Sequence, residues 1–304
     1  MRYVPLWVAI QRESVINPTE KRMENLQSGD SAEVFSSQPI RRDDGIPVFS
    51  EVDFYVENYE QISSDHLKAF DHDGHNPFMR EDHWQEVEKS TEDLISKYAN
   101  ASTRILDVGV GMGRLLERFP HLERHGMDIS MGYLRHAHAK GIDVCMSRIE
   151  DMPYKAGQFD IVVTTDVLEH VLDLNLALKK ILSVLKPGGV LIVRVPYRED
   201  LSGYVGDDCP YQLVHVRSFD KSFLQILLEK LFRLDTLELS LSGYIGGRFK
   251  YCPASFYLVN KPVRQLLKVC KIFGTRFHFM TARILNAPTE INWVVRKTGR
   301  EPRV

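Results

Sequence analysis

Asp166, Glu169 and His170 stand at i, i+3 and i+4, and His215 follows further along the chain. If the backbone is helical at Asp166, all three side chains project from one face. An imidazole at a pocket mouth can take a proton as a general base. Two carboxylates with two imidazoles can also hold a divalent ion that lowers the pKa of a bound hydroxyl. A third reading is structural, in which the four residues shape a pocket wall. His170 and His215 are taken as the catalytic pair, and no residue is assigned to a metal.

A second constellation lies upstream. Ile105-Leu106-Asp107-Val108 runs into Gly109-Val110-Gly111-Met112-Gly113-Arg114, and Leu115, Leu116 and Phe119 follow at helix-compatible positions. That is a strand, a glycine turn and a helix. Glycine lets the backbone adopt angles and approaches that a Cβ would block. The helix start presents free N–H groups to whatever sits in the turn. A carboxylate at Asp107 suits a ligand bringing an ammonium or hydroxyls, not a pyrophosphate. The dinucleotide fingerprint G-x-G-x-x-G would need glycine where Arg114 stands.

Asp128 ends the next strand, Glu123–Asp128, about twenty residues past the glycines, where one carboxylate can accept from two vicinal hydroxyls. Asp and Ser also serve as helix N-caps, so Asp128-Ile129-Ser130 has a structural reading too. Ile142–Cys145 is a short strand. Phe159–Thr165 is a strongly apolar strand of the buried parallel kind, ending at Asp166. Leu174–Leu185 reads as a helix stopped by Lys186-Pro187-Gly188-Gly189, and Val190–Pro196 as another buried strand. Such strand–helix alternation requires a parallel, doubly wound sheet. A helix over Lys221–Leu231 and strands over Leu234–Leu241 and Glu290–Arg296 close the pattern.

Composition narrows the class. The 304 residues are 43% hydrophobic and 26% charged, as in ordinary globular proteins. A net charge of -2 gives no general field for nucleic acid, which is not expected as a partner. The four cysteines, Cys145, Cys209, Cys252 and Cys270, lack C-x-x-C spacing and fit a reducing, cytoplasmic setting. Tyr3–Ile10 is broken by Pro5 and reads as a strand, and no run is long enough to cross a bilayer. Oligomeric state is not readable.

The ordered segments from Ile105 to Pro196 together resemble the class I S-adenosylmethionine methyltransferases. D-V-G-V-G-M-G is similar to that family's motif I, G-M-D-I-S to its motif II, and F-D-I-V, E-H-V and L-K-P-G-G-V-L-I-V-R-V-P to its later segments. The resemblance implies a seven-stranded Rossmann-like sheet whose last strand is antiparallel. It implies S-adenosyl-L-methionine as cofactor, with Asp107, Gly109, Gly111 and Gly113 at its methionine end. Asp128 and Ile129 would take the ribose, Ile149 and Glu150 the adenine, and Thr165 and Asp166 the remaining wall. Arg148 replaces the family's usual adenine-facing Asp, which leaves backbone groups for that contact. In the segment ahead of the glycines, Arg80 and Trp84 are expected to line the pocket.

The D-x-x-E-H…H set is similar to the metal constellation of some ubiquinone-type and small-RNA methyltransferases, with Asp166 where those show Glu. The implied activity is methylation of an oxygen on a small-molecule, saccharide or lipid-linked acceptor. A catalytically silent binding protein of the same fold, metal-assisted hydroxyl methylation and a nicotinamide oxidoreductase are the alternatives; Arg114 speaks against the last.

Residues 1–50 are expected to form a small unit. Pro39–Phe49 is similar to the end of a zinc-ribbon-like segment, but Ser36 and Ser37 stand where cysteines are expected, so no zinc is anticipated. Residues 51–304 would be the catalytic domain, with an insertion over 242–288. From Leu239 to Thr289 there is no Asp or Glu, while Arg248, Lys250, Lys261, Arg264, Lys268 and Lys271 are among its cations. That charge suggests an anionic acceptor, or peripheral membrane contact through 261–285.

Overall fold

A computed structural model describes residues 34–73, 76–206, 209–246, 265 and 275–304. Five parallel strands form the centre: β3 (Arg104–Val108), β4 (Glu123–Asp128), β5 (Asp143–Met146), β6 (Phe159–Thr165) and β7 (Leu185–Pro196). β8 (Asp235–Ser242) and β9 (Glu290–Arg296) complete one side, with β9 antiparallel to both β7 and β8. The sheet has nine strands, not seven. A hairpin of β1 (Arg41–Asp43) and β2 (Ile46–Val48) adds to the free edge of β5 through Val48 opposite Met146. The order is β1-β2-β5-β4-β3-β6-β7-β9-β8. Ile46 and Val48 are buried, so this hairpin belongs to the sheet. Ser36 ties the preceding segment to the chain after β5, its N–H and Oγ both donating to the Pro153 carbonyl. Residues 1–33, including the strand expected at Leu6–Ile10, lie outside the described residues.

Helices cover both faces, and two apolar clusters fill the space between. One contains Leu106, Val108, Val162 and Trp293, the other Ile105, Ile161, Val163 and Val294. Alternate residues of β3 and β6 thus point to opposite cores, as the two-residue strand period demands. α1 (Phe54–Asp73) and α2 (Glu81–Tyr98) precede the sheet, and α3 (Arg114–Glu117) follows the glycine turn. α4 (Met131–Ala139) is capped by Ser130, whose side chain accepts from Tyr133 N–H. α5 (Leu174–Val184) is capped by Asp173. Lys186–Gly189, expected to stop α5, instead opens the long strand β7. The helix expected over Lys221–Leu231 is α6 (Lys221–Gln225), continued by wider π-helical turns over Ile226–Leu231.

The insertion opens after Ser242 and returns through α7 (Thr275–Leu285). Its basic middle and the proposed membrane segment fall mostly outside the described residues. Among the described residues, no helix is long and apolar enough to cross a membrane.

Candidate functional site

The carboxyl ends of β3, β4, β6, β7 and the start of β9 open into a cavity of about 1330 Å³. Open parallel sheets bind ligands at that edge. The volume exceeds the 300–1,000 Å³ usual for one small-molecule site, which leaves room for two ligands. The cavity wall includes Gly109, Gly111, Asp128, Ile129, Ile149, Glu150 and Asp166, together with His170 and His215. Asp107, Gly113 and Thr165 are not part of it.

The glycine turn explains that division. Gly109 has φ +83, and an added Cβ would fall 2.2 Å from Val167 Cγ2. Gly111 has φ +51 with open space beyond its Cα, so its backbone faces the cavity bare. Gly113 has φ +74, but its added Cβ would meet Ile142 and Ala137. It therefore serves packing of α3 against the sheet. Asp107 is buried beneath the wall made by Val108 and Gly109. Its Oδ1 finds no partner, and burial raises its pKa to about 8, with Arg194 opposing. A bound ammonium would reverse that cost.

Asp128 anchors the other side. It accepts from Gly111 N–H at 2.9 Å through Oδ2 and from Ser130 N–H at 2.9 Å through Oδ1. Each oxygen keeps a lone pair for a hydroxyl. Burial raises the pKa of Asp128, and these backbone donors oppose the rise. Arg148 pairs with Asp53, and its backbone N–H donates to the Ser50 hydroxyl, so the residue is held toward the β2–α1 segment.

The helices ahead of the glycines contribute differently from expectation. Phe78, Met79 and His83 line the cavity, while Arg80 and Trp84 do not. Trp84 lies under the Arg114 guanidinium, 3.6 Å from ring centre to Cζ, and Arg114 also pairs with Glu88 and Glu81. Arg80 pairs with Asp82. The residue that breaks the dinucleotide pattern thus ties α2 to α3.

At the opposite end the chain does not turn helical after β6. Asp166 takes φ +56, residues 168–170 form a turn, and α5 begins only at Leu174. Asp tolerates this left-handed conformation better than most residues. The expected shared face of Asp166, Glu169 and His170 is therefore corrected. Asp166 turns to Arg194, whose Nη2 and Nε donate to its two oxygens at 2.6 and 3.3 Å. Arg194 also donates through Nη1 to the Val87 carbonyl and the Thr91 hydroxyl. Asp166 is thus committed to a salt bridge.

Glu169, His170 and His215 do converge, with one ligand-capable atom from each lying within 4.8 Å of the others. The imidazole rings of His170 and His215 stand edge to face, 4.5 Å between centres. His170 Nδ1–H donates to the Val214 carbonyl at 2.9 Å, and Tyr59 Oη lies 3.0 Å from the same nitrogen. That contact leaves Nε2 bare. Burial and the neighbouring His215 lower the His170 pKa to about 4, so the ring is neutral near pH 7. His215 Nδ1 bonds to Glu199, and Glu199 also accepts from Tyr204. His215 Nε2 is thereby left toward the cavity as well. Glu169 is fully buried, neither oxygen reaches a hydrogen-bond partner, and burial raises its pKa well above the carboxylate range.

Tyr59, Glu199, Tyr204 and Glu290 are wall residues that sequence reading missed. Tyr59 signalled only helical periodicity, and Glu199 stands in a polar loop with no telling spacing.

Comparison with known proteins adds the family. Residues 106–193 match the family described as "Methyltransferase domain". A ubiquinone biosynthesis O-methyltransferase of Nitrobacter winogradskyi is 37% identical over 99 residues, covering 30% of this chain and 38% of the relative. The Bradyrhizobium sp. protein of the same description is 39% identical over 98 residues, covering 30% and 38%. The chain thus matches well under half the length of these relatives. A SAM-dependent methyltransferase from Thermotoga maritima shares the fold with a TM-score of 0.50 at 16% identity, covering 80% of this chain and 99% of that one. A relative from Mycolicibacterium smegmatis that is 29% identical over 133 residues, covering 42% of this chain and 51% of the relative, is described as a probable S-adenosylmethionine-dependent methyltransferase. The cavity wall offers groups that suit S-adenosylmethionine: the backbone at Gly111 with no side chain over it, and Asp128 with room for a diol.

Replacing Asp128 with Ala should weaken S-adenosylhomocysteine binding by about 1–3 kcal/mol, the value of charge-assisted hydrogen bonds. Calorimetry giving the parent's affinity would reject this placement of the ribose.

Proposed function

We propose that this chain methylates a hydroxyl oxygen of a small-molecule, saccharide or lipid-linked acceptor. The observation that carries the reading is the pair of bare Nε2 atoms on His170 and His215 beside the cofactor end of one cavity. S-adenosyl-L-methionine supplies a methyl group on a sulfonium, already bonded to a good leaving group. The chain's part is to align the acceptor oxygen in line and remove its proton. The new O–C bond forms as the S–C bond breaks, the electron pair returns to sulfur, and the proton passes to an imidazole.

A second reading has its own support. Metal-bound histidines characteristically donate their other N–H to a carbonyl or carboxylate, as His170 does to Val214 and His215 to Glu199. A divalent ion held by Glu169, His170 and His215 would also satisfy the orphaned Glu169 oxygens. Such an ion would acidify the acceptor hydroxyl. Asp166, at the position that is Glu in the related constellation, is engaged here by Arg194.

The test is S-adenosylhomocysteine release with a panel of hydroxyl acceptors, before and after chelation. Product from the parent supports the enzyme, and its absence with every acceptor favours a silent binding protein. If an ion is used, EDTA should remove most turnover, and elemental analysis should show about one metal per chain that Glu169→Gln loses. Unchanged rate after complete chelation leaves the imidazoles as plain bases.

A further inference from the structure

We infer that the acceptor carries an ammonium group and that Glu290 is the residue that receives it. This rests on the acceptor lying in the cavity beside the cofactor, as proposed above.

The charge of the wall sets the class. Beyond the cofactor end the wall carries Glu169, Glu199, Asp200 and Glu290, and the whole cavity is lined by two guanidiniums, those of Arg148 and Arg198. An anionic acceptor would meet repulsion there, whatever the basic insertion does outside. The described wall therefore favours a cationic acceptor over the anionic one suggested by the composition of 239–289.

Glu290 is singled out by what its neighbours already hold. Glu199 is engaged by His215 and Tyr204, and Asp166 by the fork of Arg194. Glu169 stands against the two imidazoles. Glu290 is 4% exposed, lines the cavity, and its Oε2 reaches no hydrogen-bond partner. A buried carboxyl in that state is costly unless a ligand matches it. Its backbone cannot swing it elsewhere. Glu290 opens β9 and is paired on both sides, with Pro196 of β7 and Ser242 of β8.

The missing partner is a cationic donor. A hard metal ion wants several oxygens at once, and one free carboxylate oxygen does not supply them. An organic ammonium makes a short charge-assisted bond to a single carboxylate. Tyr204 lines the same cavity, and an aromatic ring beside the site attracts a cation. The hydroxyl to be methylated would lie at the imidazoles while the ammonium, protonated and so not nucleophilic, is held at Glu290.

The experiment uses the full chain saturated with S-adenosylhomocysteine and three matched probes: 2-phenylethylamine, 2-phenylethanol and 3-phenylpropanoate. Calorimetry should show the amine binding about ten-fold tighter than the alcohol, or better, with the acid weakest. Glu290→Gln should erase the preference for the amine while keeping S-adenosylhomocysteine affinity and melting temperature. Glu290→Asp, which keeps the charge, should retain part of it. Equal binding of amine and alcohol, no amine binding at millimolar concentration, or a preference that survives in Glu290→Gln would overturn the assignment. Failure of S-adenosylhomocysteine to bind the parent would strike the cofactor reading alone. Probe discrimination is then read without it.

Discussion

Replacing His170 and His215 together by Ala is expected to lower turnover about 10²- to 10⁴-fold, the usual worth of a positioned general base. S-adenosylhomocysteine affinity should hardly change if, as proposed, the cofactor lies against Gly109, Gly111 and Asp128, which line the same cavity. The two rings present their bare Nε2 atoms to the same space, since Val214 and Glu199 occupy the other nitrogens. His170 is fixed further by Tyr59, whose hydroxyl also donates to the Val214 carbonyl. With its pKa lowered to about 4, His170 is neutral near pH 7, keeps its one proton on Nδ1 and can accept another at Nε2. Single variants assign the work. If His170→Ala and His215→Ala both keep the full rate on an accepted hydroxyl, neither is the base and the proposed chemistry fails.

Arg194→Met should destabilise the fold by about 3 kcal/mol, the lower end of the range for breaking a buried pair. The lower end applies because the Asp166 side chain is 34% exposed, so water relieves part of its unpaired charge. The guanidinium side chain is only 4% exposed and joins three elements. It starts on β7, holds Asp166 at the end of β6, and reaches Val87 and Thr91 on α2. Its attraction to Asp166 overcomes the burial that works against its charge. Losing it leaves Asp166 in a left-handed conformation held only by its backbone N–H bond to the carbonyl of residue 194. Urea denaturation measures the change. The double variant Arg194→Met with Asp166→Asn should recover part of the loss, because no uncompensated charge then remains. A midpoint equal to the parent's in the single variant would refute the role.

The central fold was legible because each step rests on strong local chemistry. Phe159–Thr165 and Val190–Pro196 are continuous apolar runs, and only a strand covered on both faces uses such a run. The Glu290–Arg296 strand was readable for the same reason. The β1–β2 hairpin was not readable as part of the sheet. Its junction with the sheet rests on one register pair, Val48 with Met146, and no periodicity announces a partner so distant in sequence. At the site, His170 and His215 were visible by residue type and position. The removal of Asp166 from their company was not. It depends on Arg194, which in sequence is one polar residue inside an apolar strand. Such a residue is a signal in retrospect, since a buried Arg must have a partner. Glu290, a carboxylate opening an otherwise apolar strand, is a signal of the same kind.

The insertion leaves and re-enters the domain at neighbouring points. Ser242 and Glu290 face each other across β8 and β9, and Thr289 N–H donates to the Ser242 carbonyl. Just inside, Glu86 of α2 accepts from Tyr244 and Ile245 N–H, and Asn286 donates to the Tyr244 carbonyl. The segment is therefore a cassette clipped at its base. Its length is nearly free to vary, because doubling such a loop costs only about 0.6 kcal/mol of closure entropy. Evolution or a protein engineer could exchange the cassette for another without moving the strands. What changes is the rim beside Glu290, so acceptor choice can drift while the methyl-donor half stays fixed.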